Sequence, residues 1–185
     1  MTDHEENFRK WFVDALDPLR SKGDAGFIFA FVSLPLLERY LREKSGAGEA
    51  MTLPTHFFVE LGKLFPEIAG REKSMWHCYR NGLLHQAAFS QQKRRQGMVL
   101  VLNGALSGHD KRPIYYDISG DCFYMNPEEF FDRVKNTILG DFTTYLGSLS
   151  PAHQLATIAC PSTVVPGVVP TITGLITGAR GSYKP

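Results

Sequence analysis

Within the short stretch Met75–Gln86, MWHCYRNGLLHQ, the chain places His77, Arg80, Asn81 and His85. On an α-helix His77, Asn81 and His85 stand four apart and form one stripe, and Arg80 follows His77 by three. A guanidinium holds phosphate oxygens in a bidentate fork. An imidazole moves a proton near neutral pH. A fixed cation beside such a group suits chemistry on a phosphodiester. A helix that only filled a core would need neither.

The arrangement Arg80-Asn81-Gly82-Leu83-Leu84-His85 resembles the HEPN superfamily. Ribonuclease members of that superfamily carry an Arg, about four to six further residues and a His, commonly with a polar residue after the Arg. Arg71 and His77 also fit the loose spacing. Arg80 and His85 fit better, because Asn81 occupies the polar position and the segment reads as continuous helix, whereas Arg71 follows Gly70 at a helix start. The resemblance implies a metal-independent endoribonuclease. Arg80 would bind and polarise the scissile phosphate, and His85 would serve as general base or acid for attack by the RNA's own 2′-hydroxyl. Asn81 would orient His85 or touch the phosphate. The products would be a 2′,3′-cyclic phosphate and a 5′-hydroxyl. The resemblance also implies a homodimer with two motif helices facing across an RNA cleft, a role in toxin or phage-defence systems, and an antitoxin protein as a further partner. The competing class is a non-catalytic helical module that binds RNA, a nucleotide or a protein.

Other residues extend the candidate site. His77 is a second proton-transfer or RNA-contacting group, or an ordinary helix residue. Lys93, Arg94 and Arg95 form the densest basic cluster, about two turns beyond the motif if the helix continues; they fit RNA backbone contact or a solvated helix end. Trp76 and Tyr79 suit base stacking or a core. Cys78, close to both imidazoles, raises the question of a thiol nucleophile. Gly82 costs about 1 kcal/mol relative to Ala in a helix interior, a cost that close packing or a ligand offsets. No phosphate-cradling glycine loop and no serine-hydrolase elbow is present. No paired metal-ligand motif occurs either, so neither a metal nor a cofactor is expected.

The elements that must position these residues read as mainly α. Residues 6–19 read as a first helix, 24–44 as a second with Pro35 inside it, 53–65 as a third and 72–92 as the fourth, motif-bearing helix. The period then changes. Residues 97–125 read as a small antiparallel β-insertion, with Ser119-Gly120-Asp121 as a hairpin turn. Asn126-Pro127-Glu128-Glu129 is a capped helix start, and its apolar pattern continues to Leu149. The fold expected is a bundle of about five helices over residues 1–150, followed by an irregular tail over 151–185.

Composition bounds the partners. A net charge of +1 gives no global attraction to nucleic acid, so an RNA site must be a local patch. The three cysteines, Cys78, Cys122 and Cys160, form no CxxC pair, which fits a reducing cytoplasm rather than a disulfide framework. The apolar run Gly26–Leu37 is too short for a membrane span.

Overall fold

The computed structural model describes residues 3–20, 22, 25–48, 52–83, 90–95 and 98–147, with backbone alone at 81, 90–95 and 98–104. All of these fall within the compact unit Met1–Ser148. The chain opens with α1 (Asp3–Phe8), a π-helical turn (Arg9–Asp14) and a 3₁₀ turn (Asp17–Leu19), followed by α2 (Gly26–Lys44) and α3 (Thr55–Leu64). A second 3₁₀ turn (Pro66–Ile68) leads to α4 (Glu72–Trp76), which passes into a π-helical turn (His77–Asn81). Strands β1 (Ser90–Arg95), β2 (Met98–Leu106), β3 (Ile114–Asp117) and β4 (Cys122–Met125) follow, then α5 (Pro127–Gly140) and α6 (Phe142–Leu146). The described residues are thus mainly helical with a small sheet.

Helix α2 forms the spine. Ala30, Leu34, Leu37 and Leu41 recur at helical spacing and are all buried, so one face of α2 is core. Pro35 lies on the opposite, exposed face and the helix runs through it. The carbonyl it cannot bond belongs to Phe31, on that same exposed side. Against this spine pack Phe57 and Leu61 of α3, Met75 and Trp76 of α4, and Phe130, Val134 and Ile138 of α5. The Phe65 and Phe130 rings stack 4.8 Å apart. Arg133 of α5 donates to Glu67 at 2.8 Å and so ties α5 to the 3₁₀ turn after α3. Asn126 caps α5 through its side chain, which accepts from the Glu129 amide, with Pro127 at the first position.

Three expectations require correction. The sheet is mixed rather than antiparallel: its strand order is β1-β2-β4-β3, and β2 pairs with β4 in parallel. The loop after β2 does not close a hairpin onto it. Ser107 donates to the Met125 carbonyl and Asn126 to the Pro113 carbonyl, which holds both ends of that loop beside β4. The Asn126 side chain also reaches the Asp110 carbonyl. The hairpin β3–β4 then inserts β4 next to β2. Second, the fourth helix does not extend to residue 92. Ser90–Arg95 is a strand paired antiparallel with Met98–Asn103, so the sheet begins before residue 97. Only two residues of sequence separate the paired Arg95 and Met98. Third, the last helix is broken at Asp141, whose φ of −140° and ψ of 51° separate α5 from α6 after Gly140. The expected tail lies outside the described residues. Among those residues no helix is long and apolar enough to cross a membrane.

Candidate functional site

The motif segment has two sides with opposite environments. Met75, Trp76, Cys78, Tyr79 and Leu83 are buried, and Gly82 is buried with them. Lys73, His77 and Arg80 lie on the other side and reach solvent. The winding changes between them. The Gly82 amide bonds to the His77 carbonyl, five residues back, as a π turn requires. Of the expected stripe His77, Asn81 and His85, only the His77 side chain falls among the described residues. Among those residues the side chains that reach the open side are Lys73, His77 and Arg80.

The buried side is anchored to the sheet. The Tyr79 hydroxyl lies 3.0 Å from the Ala105 carbonyl of β2 and 2.9 Å from the Phe123 carbonyl of β4. Burial holds this phenol well above its usual range. Trp76 packs edge-on against Phe57 at 4.8 Å. Both rings belong to the core, with Trp76 also lining the cleft on the open side. The Cys78 thiol is fully buried, and that burial pushes it up to about 12, with Cys122 adding to the effect. A thiol held protonated is no nucleophile near neutral pH, which disposes of the cysteine reading.

The open side faces a cleft of about 400 Å³. Its charged lining is Glu38 and Arg42 from α2 with Lys73 and Arg80 from the motif segment; His77, Trp76, Phe58, Leu53 and Thr52 complete it. Arg80 presents its side edge to Glu38: Nε donates to Oε2 at 2.7 Å and Nη2 to Oε1 at 3.3 Å. Arg42 reaches the same Oε1, with Nε at 2.9 Å and Nη2 at 2.8 Å. Its Nη1 donates to the Gly48 carbonyl at 3.2 Å. Glu38 is nearly enclosed, with 12% of its side chain exposed, against 25% for Arg80 and 21% for Arg42. Lys73 lies over the Phe58 ring at 5.5 Å. One carboxylate therefore serves two guanidiniums, and among the described residues the lining has more cationic than acidic side chains. Such a lining attracts anions and, in a partly enclosed space, does so more strongly than exposed lysines would.

Of the expected site residues, the structure brings Arg80 and His77 into one cleft. His85 lies outside the described residues, as do the side chains of Asn81, Lys93, Arg94 and Arg95. The backbone of Lys93, Arg94 and Arg95 is strand β1, paired with Leu100, Val99 and Met98 in turn. These residues are not a helix end, and a helix dipole does not explain their charge. Glu38, Arg42 and Lys73 are site residues that the sequence reading missed. Their signals were spacing alone: Glu38 and Arg42 stand four apart on α2, and Lys73 stands four before His77. Among the described residues no group of three or more His, Cys, Asp or Glu is placed to hold a metal ion. Comparison with protein-family models, with curated proteins and with solved structures gives no match.

Proposed function

We propose that this protein binds RNA at the Arg80 cleft and cleaves it without a metal, by attack of the 2′-oxygen on the adjacent phosphorus. The observation that carries the reading is the cleft itself, in which, among the described residues, Arg42, Lys73 and Arg80 lie with Glu38 beside an imidazole. In the step proposed, the bond from the 2′-oxygen to phosphorus forms and the bond from phosphorus to the 5′-oxygen breaks. One imidazole takes the 2′-hydroxyl proton, and the departing 5′-oxygen is protonated by that imidazolium or by water. Arg80 neutralises the charge that grows on the phosphoryl oxygens. His85 is the proton carrier that the motif supplies. The reading extends to a two-fold dimer and to a toxin or phage-defence role through the HEPN resemblance.

The test is purified protein, chelator and mixed single-stranded RNA, with analysis of the new ends. Cyclic phosphate ends are expected. Arg80→Ala and His85→Ala should each lose about 100-fold or more while keeping their helical circular dichroism. The same preparation should sediment as a dimer. Full activity in either variant removes the mechanism, and a strict monomer at high concentration removes the paired-helix arrangement.

A second reading has its own observation. The bonds from Arg80 to Glu38 fit a guanidinium used to build a binding surface rather than to polarise a bond. A protein that binds RNA tightly and leaves it intact under all these conditions is that non-catalytic module.

A further inference from the structure

The Glu38 carboxylate is a junction between two elements. A largely buried carboxylate is costly unless it is paired and its remaining lone pairs are hydrogen-bonded. Here two guanidiniums converge on it, and both share Oε1. They come from different elements, Arg42 from α2 and Arg80 from the π turn. Besides satisfying the carboxylate, this arrangement holds two guanidiniums at a fixed separation on one cleft. Arg42 is also held from behind by the Gly48 carbonyl, which limits its rotation. A clamp whose geometry exists before the ligand arrives loses less side-chain entropy on binding.

We infer that Glu38, Arg42 and Arg80 form a preassembled phosphate clamp, in which Arg42 is a second phosphate ligand and Glu38 is a positioning residue. The ligand class is the backbone of single-stranded RNA. The cleft volume of about 400 Å³ suits roughly one nucleotide. Phe58 and Leu53 give that nucleotide an apolar wall, and Lys73 adds a third cation at the rim. This inference rests on the RNA reading above, but it concerns binding geometry and is separable from cleavage.

Glu38→Gln separates a positioning role from a merely structural one, because two readouts move in opposite directions. It removes a negative charge from among three cations, so affinity for an uncleavable 2′-O-methyl RNA oligomer should hold or rise. It also releases the two guanidiniums from their common anchor, so cleavage of the matching RNA should fall about 100-fold, and Glu38→Asp should recover part of it. Arg42→Gln should weaken binding of the uncleavable oligomer about tenfold and lower the slope of log affinity against log salt by about one, the mark of one lost phosphate contact. Cleavage unchanged in Glu38→Gln overturns the positioning role. Affinity and salt slope unchanged in Arg42→Gln overturn the clamp, and this arm decides the matter if Glu38→Gln fails to fold. A wild type that binds the oligomer without cutting RNA overturns the ribonuclease reading alone. A wild type that does not bind overturns both.

Discussion

Two ion clusters in this molecule are built from the same side-chain types and differ in stoichiometry. In one, Arg20 forks onto Asp132 at 2.6 and 3.0 Å, reaches Asp17 at 3.0 Å and lies 3.8 Å from Glu128. Lys135 completes it at 2.7 Å from Asp132. Two cations there meet three carboxylates. In the other, Arg42, Lys73 and Arg80 share a cleft with Glu38 as its single acidic residue among those described. The first cluster fastens α5 to the segment after the 3₁₀ turn Asp17–Leu19 and leaves no cationic surplus. Bonds to Asp132 hold the Arg20 guanidinium charged even more firmly than usual. The second cluster joins two elements as well, yet among the described residues its cations outnumber its carboxylates. Ion pairing alone does not mark a binding site; the local surplus of one sign does.

The largest effect expected from this contrast is on nucleic-acid binding. Arg80→Met should weaken binding of an uncleavable RNA oligomer about tenfold or more, whereas Arg20→Met should change it less than about twofold. Fluorescence anisotropy at two salt concentrations reads both. Equal losses would erase the distinction between the clusters.

A smaller effect concerns stability. Burial alone would raise the Asp132 carboxyl, but hydrogen bonds from Arg20 and Lys135 outweigh it and hold the group below the usual carboxylate range. A depressed carboxyl contributes stability above its unfolded pKa of about 3.9, and that contribution is lost as pH falls through the lower folded value. Asp132→Asn should therefore cost on the order of 1 kcal/mol at neutral pH. The gap from wild type should close below about pH 4. Urea denaturation at pH 7 and in acid gives both numbers. A gap that persists in acid would show that the asparagine perturbs packing rather than charge.

Much of the helical frame was legible because its apolar residues repeat at a single period. Asn126-Pro127 announced α5, and the dense apolar face of α2 announced the spine. The sheet was less legible. The parallel pairing of β2 with β4 depends on where the loop from Ser107 to Pro113 is fastened, and its fasteners are backbone carbonyls that no residue type reveals. The Gln96-Gly97 connection was a readable hairpin signal, yet helical spacing ahead of it carried the reading too far. In the candidate site, Arg80 was singled out because its type and neighbours suit phosphate chemistry. Glu38 was not, since it lies 42 residues away and reads as an ordinary helix charge until the tertiary fold brings it to Arg80.

The Tyr79 hydroxyl also carries a consequence for the order in which the protein assembles. It rests on carbonyls of two parallel neighbours, and those strands meet only after the intervening β3 has folded back. The latch on the π turn therefore closes late, because the long connections must be ordered before the contact exists. Local helix formation gives Arg80 a provisional place, and the sheet then fixes it. Tyr79→Phe should cost about 1 kcal/mol for the lost bond. A latch that closes after the rate-limiting step predicts that the loss appears as faster unfolding with the folding rate nearly unchanged in stopped-flow chevrons. A slowed folding limb would instead place the latch in the folding nucleus, with the cleft set before the rest of the domain.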